Sequence, residues 1–222
     1  MSSNMSTVER NNRKRRFMKI YDHVCENGRA VLEETFKKYL MRNGQSLESF
    51  LTSNRQGILA TPKGRSIKMT LYPNAGVAST LDNCDLLTLC FILAHFCSLG
   101  PNLEGYLKMI KDTRNELSHM PWPQLSEEEY KKYDSEIKCC MSAFINYVAC
   151  SEFGSKMGEQ IRTTDKEPLD MERYNDILTE LENLRGTKYE GMALHVYKYS
   201  NQLTIHFCKS YIFYYTYKLK LW

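Results

Sequence analysis

The chain has 222 residues, of which 42% are hydrophobic, and this is enough for one domain with a core. Its longest apolar block, residues 86–97, is interrupted by Thr88 and His95 and is shorter than the ~18 residues that a bilayer span requires. The polar, basic N-terminus is unlike a secretory signal, so we expect no membrane span and an intracellular protein, cytoplasmic or nuclear.

The net charge of +4 is concentrated at the N-terminus, where residues 1–20 contain six basic residues against the single acid Glu9. We predict that residues 1–11 are a disordered basic arm. Such a run fits RNA contact or nuclear import, and a solvated, frayed helix start accounts for it more simply. The RNA-binding candidates are Arg13, Lys14, Arg15 and Arg16.

The eight cysteines form no CxxC pair, and no histidine cluster has the spacing of a zinc site. Several cysteines lie among apolar residues of predicted helices. We therefore expect reduced thiols that act as small core residues, with no metal and no cofactor.

Apolar residues at helical spacing predict one long helix over residues 12–41, which Gly28 bends and Asn43-Gly44 ends. Ser46 is the expected cap of a short helix over residues 47–51. Residues 57–76 are rich in proline and glycine and predict a loop, with a short extended piece at residues 67–72.

Further helices are predicted along the rest of the chain. Asp82 is the expected N-cap of a helix over residues 84–98, and Gly100-Pro101 separates it from the next helix, residues 102–119. Ser126 and Glu129 form a capping-box pattern that opens a helix over residues 127–149. Shorter helices follow at residues 156–162 and, capped by Asp170, at residues 171–184. This pattern predicts an all-α antiparallel bundle over residues 12–185.

The last segment, residues 186–222, differs in character from the rest. From Tyr189 onwards it carries seven of the fifteen tyrosines and one acid, Glu190. An edge hairpin, a membrane-surface segment and a sequence that is not an evolved part of the domain all fit this composition. We expect a poorly integrated aromatic-rich tail.

The predicted helix 102–119 contains a charged residue where an apolar one is expected. Leu103, Leu107, Ile110 and Leu117 recur at helical spacing, and Arg114 occupies the position that should continue the stripe. We expect this arginine to have partners or to lie at an interface, because burying an unpaired charge is costly. His119 follows at the end of the helix, since Pro121 and Pro123 cannot continue it.

The segment from Arg114 through Asn115 to His119 resembles the RNxxxH motif of HEPN domains, which are all-helical domains that bind or cleave RNA. The blocks at residues 71–76 and 81–97 extend the similarity. Together they look like the HEPN type found in the DAZ-interacting RING-finger ubiquitin ligase and in many invertebrate proteins, over about residues 30–185.

The resemblance implies a metal-independent endoribonuclease in which Arg114 binds the phosphate, Asn115 orients it and His119 transfers protons. Histidine titrates near neutral pH, and a guanidinium suits the charge that develops on phosphorus. The alternative is a catalytically silent HEPN module, a dimerising adaptor in an innate-immunity or ubiquitin-linked pathway. The residues alone also fit a purely structural role, in which the arginine bonds to a glutamate or to the backbone and the histidine caps its helix.

Helix geometry bears on how the motif would work. Residues five apart on a regular helix, such as Arg114 and His119, point about 140° away from each other. Convergence requires a distorted helix end or a second copy of the helix, and HEPN nucleases commonly have such composite sites. The implied partners are RNA and either a second copy of the chain, as a homodimer, or another HEPN protein.

Two further residues have ordinary structural interpretations. We expect His95 to be a core or interface histidine, with a role in the site only if its helix lines the cleft. We expect Trp122, between two prolines, to pack its loop onto the bundle, although an exposed tryptophan in this place could stack on a base.

Overall fold

A computed structural model describes residues 6–74 and 78–184, and within these ranges the regular structure is helical, without a strand. The all-α prediction is confirmed. The helices are α1 (Thr7–Asp22), α2 (Gly28–Arg42), α3 (Leu47–Ala60), α4 (Pro62–Ser66), α5 (Lys68–Leu71), α6 (Leu86–Phe96), α7 (Pro101–His119), α8 (Glu127–Val148), α9 (Ser151–Lys166) and α10 (171–184).

One compact unit ends at Tyr174 and contains the bundle, and the second begins at Asn175. Of the second unit the structure describes residues 175–184, which are helical. The predicted tail, residues 186–222, lies outside the described residues.

The predicted helix over residues 12–41 is two helices joined by a turn of π-helix, His23–Asn27, directly before Gly28. The first helix begins at Thr7, so residues 7–11 are helical rather than disordered. The side chain of Ser6 caps this end by accepting a hydrogen bond from the Glu9 amide, and Glu9 pairs with Arg13 in the next turn. A π-turn inside an α-helix is frequently found at functional sites.

The core lies among four helices, since α2 packs against α6 and α8, and α7 packs against the same two helices. Each contributes fully buried apolar side chains. They include Val31, Leu32 and Phe36 of α2, Leu89, Ile92 and Leu93 of α6, Ile110 and Leu117 of α7, and Met141 and Phe144 of α8.

The loop prediction for residues 57–76 is wrong over most of its length. Helix α3 continues to Ala60, and two short helices, α4 and α5, follow where a loop and an extended piece were expected. Thr61 caps α4 by accepting a hydrogen bond from the Gly64 amide at 2.9 Å, and Pro62 occupies the first turn. Proline is compatible with that position, so it starts a helix here rather than preventing one.

Capping interactions fix other helix starts. The N-cap of α6 is Asp85, which accepts from the Thr88 amide at 2.7 Å, and not the predicted Asp82. The capping box of Ser126 and Glu129 is present at α8 as predicted. Asp170 accepts from the amides of residues 172 and 173, as expected for the cap of α10.

The sequence predicted that the chain has no membrane span and that its cysteines are core residues, and the described residues bear on both predictions. None of their helices combines the length and apolar content that a membrane span requires. Their seven cysteines are free thiols, of which Cys84, Cys90, Cys97 and Cys140 are buried, as expected of small core residues.

Substitution of Gly28 or Gly64 by alanine should change the stability of the protein in opposite directions. A Cβ at Gly28 would lie 3.6 Å from Leu86 Cδ1 and 3.9 Å from Ile110 Cγ2, which is ordinary van der Waals contact, and Gly28 already has helical φ. We expect Gly28→Ala to raise the free energy of unfolding by about 0.5–1 kcal/mol in urea titrations.

The matched variant is Gly64→Ala, whose methyl would overlap the backbone carbonyl of Ile58. It should lower the free energy of unfolding by about 2 kcal/mol. A loss of stability in Gly28→Ala, or none in Gly64→Ala, would contradict the packing described here.

Candidate functional site

Helix α7 presents its core face through Thr113 rather than Arg114. Thr113 is 4% exposed and continues the buried stripe between Ile110 and Leu117, whereas Arg114 is half-buried at its edge. The prediction that Arg114 continues the apolar stripe is therefore wrong, since Thr113 takes that position. A spacing of three residues from Ile110 satisfies the helical period as well as a spacing of four, and threonine occupies the buried place.

The Arg114 side chain lacks the partners that a purely structural arginine would have. Across residues 6–74 and 78–184, no side chain forms an ion pair with its guanidinium, and no group accepts a hydrogen bond from it. Glu116, a nearby acid on the same helix, accepts a hydrogen bond from the Tyr133 hydroxyl at 2.9 Å. The Arg114 guanidinium is thus available for an anion.

Asn115 lines a cleft of about 540 Å³ between α6, α7 and the start of α4, which we call the α6–α7 cleft. Its apolar wall consists of Leu87, Cys90, Phe91 and Ala94 of α6. Its polar rim consists of Lys63, His95, Lys111 and Asn115. His95 is exposed and belongs to this rim, so its helix does line the cleft next to the motif.

The buried Cys90 in the wall of the α6–α7 cleft has charges of both signs nearby. Burial raises the pKa of Cys90 to about 12, the positive charges of Lys111 and Arg114 oppose that rise, and the negative charge of Asp85 adds to it. The thiol is therefore protonated near neutral pH and is not a nucleophile. Lys111 itself lines the cleft.

His119 is exposed and is the last residue of α7, which remains α-helical to this point. The 140° offset between Arg114 and His119 is therefore not removed by a distorted helix end. Asn115 and His119, four residues apart, lie on one face of the helix.

The loop that follows His119 carries a 78% exposed tryptophan, Trp122, which does not pack onto the bundle as expected. Other contacts hold the loop. The Leu125 amide donates to the Arg13 carbonyl at 3.1 Å, and the Tyr174 hydroxyl donates to the Pro123 carbonyl at 2.9 Å. The loop is thereby fixed beside α1 without the tryptophan.

The four basic residues predicted to bind RNA are all on α1 and in contact with the bundle. Arg13 and Arg16 pair with Glu9, and Arg16 also pairs with Glu127. Lys14 lies over the Tyr174 ring at 5.2 Å, and Arg15 donates to the Glu167 carbonyl. Arg15 and Arg16 also line a cleft of about 300 Å³ with Lys19 and Tyr130.

A buried polar cluster lies under the π-turn, where sequence reasoning found no site. His23 is 1% exposed, and its Nε2 lies 3.0 Å from Asp165 Oδ1. The Asn27 side-chain amide donates to His23 Nδ1 at 2.9 Å, and this pattern assigns the imidazole proton to Nε2. His23 and Asp165 are 142 positions apart in the sequence, and their spacing does not predict that they form a pair.

Lys138 completes this cluster from α8. Its ammonium lies 2.8 Å from Asp134 Oδ1 and 2.9 Å from Asp165 Oδ2. Burial alone would raise the pKa of Asp165, but the hydrogen bonds from Lys138 and His23 outweigh it and lower the pKa. His23, Asp134 and Asp165 are metal-ligand types within 4.8 Å of one another, and the Lys138 ammonium supplies the positive charge between the two carboxylates.

Comparison of the chain with protein-family models, curated proteins and solved structures finds no match.

The buried histidine predicts a pH dependence of stability. Burial lowers the pKa of His23 below its ordinary value of about 6.5, and the hydrogen bond to Asp165 opposes this without reversing it. The unfolded chain takes up the proton first as the pH falls, so the stabilisation is present above pH 6.5 and is lost as the pH falls through the lowered folded-state pKa. Urea titrations between pH 7.5 and pH 5 should show this loss.

His23→Gln should be less stable at pH 7.5 by about 2 kcal/mol, because it disturbs a buried hydrogen-bonded pair, and its curve should be flatter with pH. Thr35→Val is the control, since Thr35 is buried, donates to the Val31 carbonyl and does not titrate. Its curve should run parallel to that of the unaltered protein. Parallel curves for all three proteins would show that His23 does not titrate differently on folding.

Proposed function

We propose that the chain is a HEPN-type RNA-binding domain and endoribonuclease that cleaves RNA without a metal ion at the C-terminal end of α7. The family assignment rests on the RNxxxH resemblance and on the all-helical bundle that carries it. Arg114 binds the phosphate, Asn115 orients it and His119 transfers protons.

The observation that carries the proposal is the contrast between two sets of cations. The α1 cations Arg13 and Arg16 are neutralised by acids of the protein. Lys63, Lys111 and Arg114, by contrast, form no ion pair with any side chain in residues 6–74 and 78–184. Positive charge without an internal partner next to a motif of arginine, asparagine and histidine is what a phosphate-binding site requires.

The reaction uses only groups that the motif and the RNA supply. The 2′-hydroxyl gives up its proton and attacks the adjacent phosphorus, and the bond from phosphorus to the 5′-oxygen breaks. The departing 5′-oxygen takes a proton, which leaves a 2′,3′-cyclic phosphate and a 5′-hydroxyl. His119 suits either proton transfer, and the Arg114 guanidinium stabilises the added negative charge on the phosphate oxygens.

The regular end of α7 favours a site shared between two copies of the chain. Arg114 and His119 of one helix diverge, so a phosphate held by one copy's Arg114 would meet the His119 of a second copy across a two-fold axis. The two arginines would repel each other across such an axis, and the RNA phosphate would neutralise them. We assign the α1 cations a weaker, sequence-independent attraction for the strand.

Cleavage of a labelled single-stranded RNA in EDTA tests the proposal. The unaltered protein should yield 2′,3′-cyclic phosphate ends. His119→Ala and Arg114→Ala should each lower the rate by about 100-fold or more, because they remove proton transfer and charge stabilisation respectively. Arg162→Gln is the matched control, because Arg162 is an exposed arginine of α9 paired with Glu159.

An equimolar mixture of Arg114→Ala and His119→Ala separates a shared site from a site within one chain. If the site is shared, randomly mixed dimers should recover roughly a quarter of the unaltered rate, because half are heterodimers with one intact site each. Equal rates in all variants and the unaltered protein would exclude this site. A dimer without cleavage activity would identify the alternative, a silent HEPN interaction module.

A further inference from the structure

The small basic cleft between α1 and α8, which we call the α1–α8 cleft, is separate from the site at α7. It has a volume of about 300 Å³ and is lined by Asn12, Arg15, Arg16, Lys19 and Tyr130. Arg16 forms ion pairs with Glu9 and Glu127. Arg15 and Lys19 form no ion pair with any residue that the structure describes. The cleft therefore contains two cations that no described carboxylate pairs with.

Lys19 is a buried lysine, with only 6% of its surface exposed. Lysine is rarely buried to this extent without a paired acid, because an unpaired charge loses its hydration. The Lys19 ammonium donates to the backbone carbonyl of Asp165, which is an uncharged acceptor. Burial and then the positive charge of Arg15 lower the pKa of Lys19, and nearby carboxylates only partly oppose this. An anion in the cleft would supply the missing negative charge.

The two acids that act electrostatically on Lys19, Asp165 and Glu167, do not line the cleft. The Asp165 carboxylate accepts hydrogen bonds from His23 and Lys138. Glu167 lines a different cavity, of about 980 Å³. An anion in the α1–α8 cleft would therefore meet hydrogen-bond donors rather than carboxylates.

The side chains of the cleft retain donors that the described residues do not use. Arg15 donates through Nε to the Glu167 carbonyl at 3.2 Å, which leaves the terminal nitrogens of its guanidinium available. The Lys19 ammonium has several donors and bonds to a single acceptor. The half-buried Tyr130 hydroxyl forms no hydrogen bond with a described residue. Because these donors come from two helices, a ligand that accepts from all of them would bridge α1 and α8.

This donor set fits a phosphate monoester better than the phosphodiester of an RNA strand. Near pH 7 a monoester carries a charge of about −1.5 to −2 on three terminal oxygens, whereas a diester carries a single charge. The forked guanidinium of Arg15 matches a pair of phosphate oxygens, and Lys19 and Tyr130 offer donors to the remaining one. The volume of the cleft is at the small end of the range of about 300–1,000 Å³ for ligand sites, which also favours a small molecule.

We propose that the α1–α8 cleft binds the phosphate group of a small monoester, with Arg15, Lys19 and Tyr130 as its donors. The site does not depend on RNA cleavage. Arg15 and Lys19 also bond to backbone carbonyls at the C-terminal end of α9, so the bound phosphate stabilises the junction of α1, α8 and α9.

Titration of the ¹⁵N-labelled full chain with methyl phosphate and with dimethyl phosphate tests the site, because these ligands differ mainly in charge and in terminal oxygens. Backbone amide shifts of residues 12–19 and 130, followed by NMR, report on this cleft separately from the site at α7. We expect the monoester to bind at least tenfold more tightly than the diester.

Variants of the donors test which side chains hold the phosphate. Arg15→Gln and Lys19→Met should each weaken binding of methyl phosphate about tenfold or more. Tyr130→Phe should weaken it roughly threefold, and it removes only a hydroxyl, so it tests the site even where Lys19→Met disturbs the fold. The matched control is Arg10→Gln, which removes the same charge from an exposed position of α1 outside the cleft and should leave the affinity unchanged.

Equal affinities for the two ligands, or an unchanged affinity in Arg15→Gln and Tyr130→Phe, would overturn the proposal. A single-stranded RNA with a 5′-hydroxyl that binds in this cleft more tightly than methyl phosphate would also overturn it and assign the cleft to the strand. A phosphoserine peptide that binds more tightly than methyl phosphate would support the site and identify a phosphorylated protein as the source. Equal binding of the two would support it with a free small phosphate as the source.

Discussion

Asp165 joins the N-terminal helices to α8 and α9. Its carboxylate accepts hydrogen bonds from His23 of the π-turn and Lys138 of α8, and its backbone carbonyl accepts from Lys19 of α1. The buried His23 imidazole lies against this carboxylate, and the Lys138 ammonium is shared between Asp134 and Asp165, whose opposite charges offset the burial of the lysine. The cluster thus ties the π-turn that precedes α2 to α8 and α9.

The candidate site depends on that core through α7. Thr113 and Leu117 are buried, which leaves Arg114 and Asn115 half-buried at the edge of the core face, with Asn115 in the cleft beside α6. There the guanidinium meets no acid of the described residues, and the amide reaches a cleft with two further unpaired lysines. An anionic ligand would be attracted to these cations, since no acid of the described residues forms an ion pair with them. On α1, Arg13 and Arg16 are already paired with Glu9 and Glu127, so these two cations have less to gain.

Local sequence signals predicted the helices well and their long-range partners poorly. Ser126, Glu129 and Asp170 were recognised as caps because a cap is decided within four residues. Pro62 led to the wrong prediction of a loop, because it starts a helix. The spacing of the apolar residues fits either Thr113 or Arg114 at the buried position of α7. His23 pairs with Asp165, and Lys63 lines the same cleft as Lys111. Both pairs bring together distant parts of the chain, and hydrophobic periodicity does not predict such contacts. The HEPN resemblance of the motif was visible in the sequence, whereas the unpaired cations beside it required the structure.

Where RNA contacts the protein can be measured directly by titrating a 2′-O-methyl RNA oligonucleotide, which lacks the attacking hydroxyl, into the ¹⁵N-labelled full chain and following backbone amide shifts by NMR. We expect the largest shifts at residues 61, 63, 87–95 and 111–119, around the α6–α7 cleft and the end of α7. Shifts confined to α1, or no shifts at all, would contradict an RNA site at α7.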